Sequence, residues 1–241
     1  MKTRLNIADI VFEITTVFDC LKNTEDYCTD APFDVKIELK KEDIEDERIK
    51  SIRECEYENI PYPDYPDYML ENTAVYRKIA AVLPNFDAFV FHGSAVAKDN
   101  KAYIFTAKSG TGKTTHTDLW LKNIDGSFII NGDKPIIRMT ENKPFVYGTP
   151  WMGKENSGTN KKVPLFAVCR LERSKENRIE KSSFQELFPF LLGQCYRPTD
   201  GALLNKTVKD LTDIMSAVKL YTLYCNKEDE AAFTAYNGLR V

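Results

Sequence analysis

The sequence predicts an α/β fold: a mixed β-sheet built around a glycine-rich loop, with a smaller, strand-rich N-terminal lobe. Three observations predict it. An apolar "AYIFTA", a loop "KSGTGKT" and a helical "THTDLWLK" follow one another without a break from residue 102 to 122. Strand patterns joined by a short polar turn precede them, and further strands alternate with helical stripes after them. At 241 residues and 43% hydrophobic composition the chain can bury one large core or two small ones.

Taken in order, residues 9–18 and 33–39 alternate in the manner of strands. The run "KKEDIEDERIK" is dense in both charge signs and reads as a solvated loop. In "IPYPDYPDYML" three prolines fix φ and withhold N–H donors, so an extended connection is expected. Leu70, Ala74, Ile79, Val82 and Leu83 recur at helical spacing, and Pro84 stops that helix. "AFVFHGSAVAKDNKAYIFTA" reads as strands with "KDNK" as a hairpin turn feeding the glycine loop. "GSFIINGDKPIIRM" is a strand with a polar break, and "VPLFAVCRLE" a buried strand. Ser183 and Glu186 form a capping box that opens a helix through Leu192. Leu204, Val208, Leu211, Met215 and Val218 form a helical core stripe. A strand at "KLYTLYC" and a short helix at "EDEAAFTAY" close the chain. The expected division is 1–85 for the lobe and 86–241 for the loop-bearing domain, in one continuous body.

Composition excludes several function classes. With 33 basic and 36 acidic residues there is no basic excess to neutralise a nucleic acid backbone. Asp9 and Glu13 interrupt any signal-peptide core, and no apolar run approaches the ~18 residues that span a bilayer. Six scattered cysteines read as free thiols of a cytoplasmic protein. Two histidines, His92 and His116, are too few for an ordinary zinc site, and His116 reads as helix packing.

The loop carries the chemistry. In "AKSGTGKTT", Gly110 and Gly112 let successive N–H groups turn toward an anion, and the following helix adds its positive end. Ser109, Gly110, Thr111, Gly112, Lys113, Thr114 and Thr115 therefore form a candidate triphosphate cradle. Lys113 reaches the terminal phosphates, and the Thr114 hydroxyl is placed for Mg2+. Ala107 stands where the first loop glycine is expected, which requires only that this position avoid positive φ. Downstream, Asp133 ends a strand where an acidic residue faces the metal or the attacking group. His92 ends the strand "AFVF" beside Gly93. In "YGTPWMGKENSGTNKK" the glycines and lysines suggest a mobile flap, with Trp151 covering a base or substrate and Lys154 clamping a phosphate.

"FHGSAVAKDNKAYIFTAKSGTGKTTHTDLW" followed by "INGDKPII" resembles the C-terminal domain of HPr kinase/phosphorylase and its relatives, the ATP-dependent phosphoenolpyruvate carboxykinases. The resemblance spans roughly residues 88–172. It implies that Lys113 and Thr114 hold ATP and Mg2+, that Asp133 is the general base toward an acceptor hydroxyl, and that His92 lines the site. Gly132 departs from it, standing where the first of two paired aspartates belongs. The segment after "VYGTPW" also lacks the Glu-Ile-Arg-Gly signature of HPr kinases, which points away from HPr as substrate. The chain is far shorter than a carboxykinase. The expectation is a kinase-like enzyme that transfers the γ-phosphoryl group of ATP to a hydroxyl of a small molecule, peptide or protein. A non-catalytic nucleotide-binding module is the alternative that Gly132 favours. Simple NTP hydrolysis lacks a water-positioning glutamine or glutamate near the loop.

Overall fold

A computed structural model describes residues 1–153 and 156–240; Lys154 lies outside them. The chain divides into two compact units, Met1–Val82 and Leu83–Val241.

In the first unit, β1 (Lys2–Ile7) and β2 (Ile10–Thr15) form an antiparallel hairpin. Its two turn residues, Ala8 and Asp9, have φ of 57° and 59°, as the right-handed twist of a two-residue hairpin requires. β3 (Val35–Glu38) adds to β2 in parallel. The charged run after it is not a loop. It opens helix α1 (Lys41–Glu58), which packs beside α2 (Asp67–Val82). The reading failed because α1 has almost no apolar stripe, burying only Ile44, Glu47 and Cys55. Ion pairs take that role: buried Glu47 meets Arg77 at 2.9 Å, and Asp43 meets Lys78 at 2.8 Å. The lobe expected to be strand-rich thus has its three strands and two long helices besides.

The second unit is a nine-stranded mixed sheet with helices on both faces. Its strands are β4 (Ala88–Val90), β5 (Ser94–Lys98), β6 (Lys101–Thr106), β7 (Phe128–Asn131), β8 (Ile136–Thr140), β9 (Lys143–Tyr147), β10 (Lys162–Arg173), β11 (Arg178–Lys181) and β12 (Lys219–Cys225). They run in the order β4-β8-β9-β10-β6-β5-β7, with β12 on β10 and β11 on β12. β10 joins two parts of the sheet. Its first residues, Lys162–Pro164, pair antiparallel with β9, and the rest pairs in parallel with β6 and β12. The helices are α3 (Lys113–Asn123), α4 (Phe184–Gln194), α5 (Gly201–Ser216) and α6 (Glu230–Leu239).

Strand β6 shows why both faces are covered. Ala102 and Ile104 pack with Leu187, Leu191, Leu211 and Ile214 of α4 and α5. The alternate residues, Tyr103 and Phe105, pack with Trp120, Ala232 and Ala235 of α3 and α6. Successive strand residues face opposite sides, so one apolar run feeds two cores. Trp120 is fully buried, with its ring 5.2 Å from Tyr103 and from Phe105 and 5.6 Å from Tyr236. Burial of so large a side chain stabilises by roughly 3 kcal/mol. That contact fixes α3, and with it the helix end that faces the glycine loop.

The "KDNK" turn joins β5 to β6, with Asp99 and Asn100 at φ of 51° and 56°. Ser183 accepts the Glu186 N–H and Glu186 returns the bond, opening α4 as the capping box requires. Among the described residues no helix is long and apolar enough to cross a membrane.

Candidate functional site

The glycine loop leaves β6 at Ala107, which is buried and has no positive φ. Gly110 (φ 74°) and Gly112 (φ 122°) make the turns, and Gly112 is the N-cap of α3. Among the described residues no side-chain cap hydrogen bond closes this helix start. The first helical bond runs from the His116 N–H to the Gly112 carbonyl at 3.0 Å. The amides of Lys113, Thr114 and Thr115 therefore lack an intrahelical acceptor, the usual condition of a helix start. Arg173, at the end of β10, donates Nε to the Thr111 carbonyl at 3.1 Å and a terminal nitrogen to the Gly110 carbonyl. In a trans peptide the C=O and the next N–H point in opposite directions. The Gly112 N–H is therefore turned away from Arg173. Lys113 Nζ reaches back to the Ala107 carbonyl at 3.4 Å.

The loop forms one wall of a cleft of about 550 Å³. Ser109, Gly110, Gly112, Lys113, Thr114 and Thr115 line it on that side, and His92 and Asp133 on the other. Thr111 lines a separate cavity of about 330 Å³ with His116 and Arg173.

Asn131, at the end of β7, builds the opposite wall. It is fully buried. Its Oδ1 accepts the backbone N–H groups of Asp133 (2.9 Å) and Lys134 (2.7 Å). Its Nδ2 donates to the Thr149 carbonyl and hydroxyl and to the Trp151 carbonyl. One amide thus shapes the "NGDK" turn and ties the following segment to it. The turn is also laced to His92's neighbours: Gly93 N donates to Asp133 O at 3.0 Å, and Phe91 N to Pro135 O at 3.0 Å. That pairing brings His92 Nε2 to 3.4 Å from Asp133 Oδ1.

The segment expected as a mobile flap is anchored over its described residues. Gly132 N donates to Ser157 O at 2.9 Å, and Thr159 N to Ile130 O at 3.0 Å. Met152, Gly153 and Ser157 line the cleft, whereas Trp151 does not. Trp151 contributes its carbonyl to Asn131 instead. Gly153 has φ 79°, and a Cβ there would stand 2.8 Å from Asp133 Cβ.

Charge decides what Asp133 can hold. Burial alone would raise its pKa, but the His92 hydrogen bond and the Lys134 ammonium keep the carboxyl well below the usual carboxylate range. Lys134 Nζ lies 2.6 Å from Asp133 Oδ2, on a side chain about a third exposed. Lys113 is lowered by burial, with Asp133 acting to raise it and Lys134 to lower it further. A divalent ion on Oδ2 would stand within about 5 Å of the Lys134 ammonium, where at an effective dielectric constant of ~20 the repulsion is roughly 7 kcal/mol. Solvent reduces that figure without changing its sign. Gly132 offers no second carboxylate. Among the described residues no group of three His, Cys, Asp or Glu side chains could hold a metal. Lys134 thus takes the Asp133 oxygen that a Mg2+ ion would use, whereas Thr114 lines the cleft at the start of α3.

His116 is a core residue. Its ring meets Phe105 edge-on at 4.5 Å, and both nitrogens are buried with no partner among the described residues. Burial pushes its pKa down to about 4. The unfolded chain, near 6.5, therefore takes up the proton first. The stability of the neutral ring is complete above about pH 6.5 and declines by roughly 3 kcal/mol as the pH falls toward 4. Denaturant unfolding from pH 7 to 4.5 should show this slope in the wild type and a shallower one in His116→Leu. Equal slopes would mean the ring is protonated in the folded state.

Sequence reasoning missed Asn131, Lys134 and Arg173. Nothing in one sequence separates a buried asparagine from a turn residue, and Arg173 is 60 residues beyond the loop helix's start. Met152 was hidden by the more conspicuous Trp151 beside it.

No family model matches the chain, and no curated protein matches it. Among solved structures it is similar to the Hpr(Ser) kinase/phosphatase from Coxiella burnetii, at 8% identity and a TM-score of 0.34, over 62% of this chain and 95% of that one. A likeness that distant carries no weight for substrate or chemistry.

Proposed function

We propose that the cleft binds the polyphosphate of a nucleoside triphosphate such as ATP, and that the protein is a kinase-like phosphotransferase acting on a hydroxyl. One observation carries this reading: the glycine loop with Lys113 and the His92–Asp133 pair face each other across a single cleft. The loop amides and Lys113 hold the terminal phosphates and stabilise charge on the transferring group. The acceptor hydroxyl enters on the His92–Asp133 side. Its oxygen forms the new P–O bond, the bond from the γ-phosphorus to the β–γ bridging oxygen breaks, and the hydroxyl proton passes to Asp133. Little covalent work falls to the base, because the transition state is loose and catalysis is mostly positioning and charge stabilisation. His92 steadies the carboxylate.

A second reading, a non-catalytic nucleotide-binding module, is favoured by Gly132. A Cβ at that position would lie 3.2 Å from Met152 O and 3.3 Å from Ser157 O, a contact tight enough that an acidic residue there would need the backbone to give by a few tenths of an ångström. Incubation with γ-labelled ATP and a panel of hydroxyl acceptors separates the readings. Phosphorylated product is expected. Free phosphate alone would indicate a hydrolase, and tight binding with neither product would favour the module.

A further inference from the structure

We propose that Lys134 occupies the position a divalent ion would take beside Asp133, so that the cleft accepts a nucleoside triphosphate with no metal bound to that carboxylate. This rests on the reading of residues 109–115 as the phosphate site. Three features of the turn support it. Lys134 Nζ lies 2.6 Å from Asp133 Oδ2, and His92 Nε2 lies 3.4 Å from Oδ1, so both oxygens face nitrogen partners. Asn131 fixes the backbone N–H groups of both Asp133 and Lys134, and Pro135 restricts the backbone of Lys134 before it, so the ion pair sits on a preset turn. Gly132 carries no carboxylate, and a Cβ there would lie 3.2 Å from Met152 O and 3.3 Å from Ser157 O, so the turn holds no second acid beside Asp133.

Lys134 offsets the charge of Asp133 where an ion would, and Lys113 with the partial positive end of α3 meets the phosphates, Asp118 being the second carboxylate of the cleft lining.

The test is ATP affinity by calorimetry, in magnesium and in EDTA, for the wild type, Lys134→Met and Lys134→Arg. The wild type is expected to differ less than about threefold between the two buffers. Lys134→Met is expected to lose about tenfold in EDTA, ~1.4 kcal/mol, and to recover in magnesium once Asp133 is free to bind the ion. Lys134→Arg keeps the charge and should behave like the wild type, which guards against a misfolded Met variant. A wild-type affinity that drops tenfold or more in EDTA overturns the inference. So does a Lys134→Met variant that matches the wild type in both buffers. If binding in magnesium alone still depends on Lys113, the inference fails while the phosphate-site reading stands. No ATP binding in either buffer removes both.

Discussion

ATP at a hundredfold excess over its Kd is expected to raise the melting temperature of the wild-type chain by about 5–10 °C, and Lys113→Ala is expected to lose that shift. The first figure follows from mass action: such saturation stabilises the folded state by about 2.7 kcal/mol, and a domain of this size gains ~2–4 °C per kcal/mol. The second follows from geometry. Lys113 opens α3 beside three amides without intrahelical acceptors, and it is the loop's own ammonium facing the cleft. Among the described residues its side chain makes one hydrogen bond, a long one to Ala107 O. Truncation should therefore cost the unliganded fold less than about 0.5 kcal/mol, the range of surface changes. Differential scanning fluorimetry of both proteins, with and without ATP, is sufficient. An undiminished shift in the variant would place the nucleotide elsewhere.

Asp133→Asn is expected to reduce phosphoryl transfer by ~10²-fold or more, the scale of losing a general base, while ATP affinity changes only a few-fold. Asparagine keeps the shape and can still accept a hydrogen bond from Lys134 or His92, but it cannot take the acceptor's proton. Affinity and product formation must be measured together across a magnesium series. Should affinity and turnover fall together, and both recover as magnesium rises, Asp133 is a metal ligand and the assignment of Lys134 to that place is wrong. Full activity in the variant would remove Asp133 from the chemistry.

The strand–loop–helix order and the hairpin turn were legible because each leaves a local mark, apolar alternation and paired glycines; the meeting of His92 with Asp133 was not, since it depends on β4 pairing with β8. The α1 helix was not, because its cohesion comes from ion pairs to α2, and charge density alone reads as solvent. The anchoring of residues 148–153 and 156–160 was hidden for a different reason. Glycine-rich composition signals permissive backbone, yet here the glycines permit close approach: a Cβ at Gly148 would fall 1.8 Å from Thr159 O. Lys134 leaves no mark, since no sequence pattern reports which carboxylate a neighbouring lysine will pair with.

Asn131 and Gly132 form the dipeptide most prone to spontaneous loss of ammonia, in which the glycine nitrogen attacks the asparagine side-chain carbonyl and closes a succinimide. Here that nitrogen donates its hydrogen to Ser157 O, and the side-chain carbonyl already accepts two backbone N–H groups. The attack geometry is withheld for as long as the turn is folded. The ageing product would also be intolerable, because an aspartate would set an oxygen against the Thr149 and Trp151 carbonyls where Nδ2 now donates. The network that shapes this wall of the cleft thereby sets its chemical lifetime, and unfolding starts that clock.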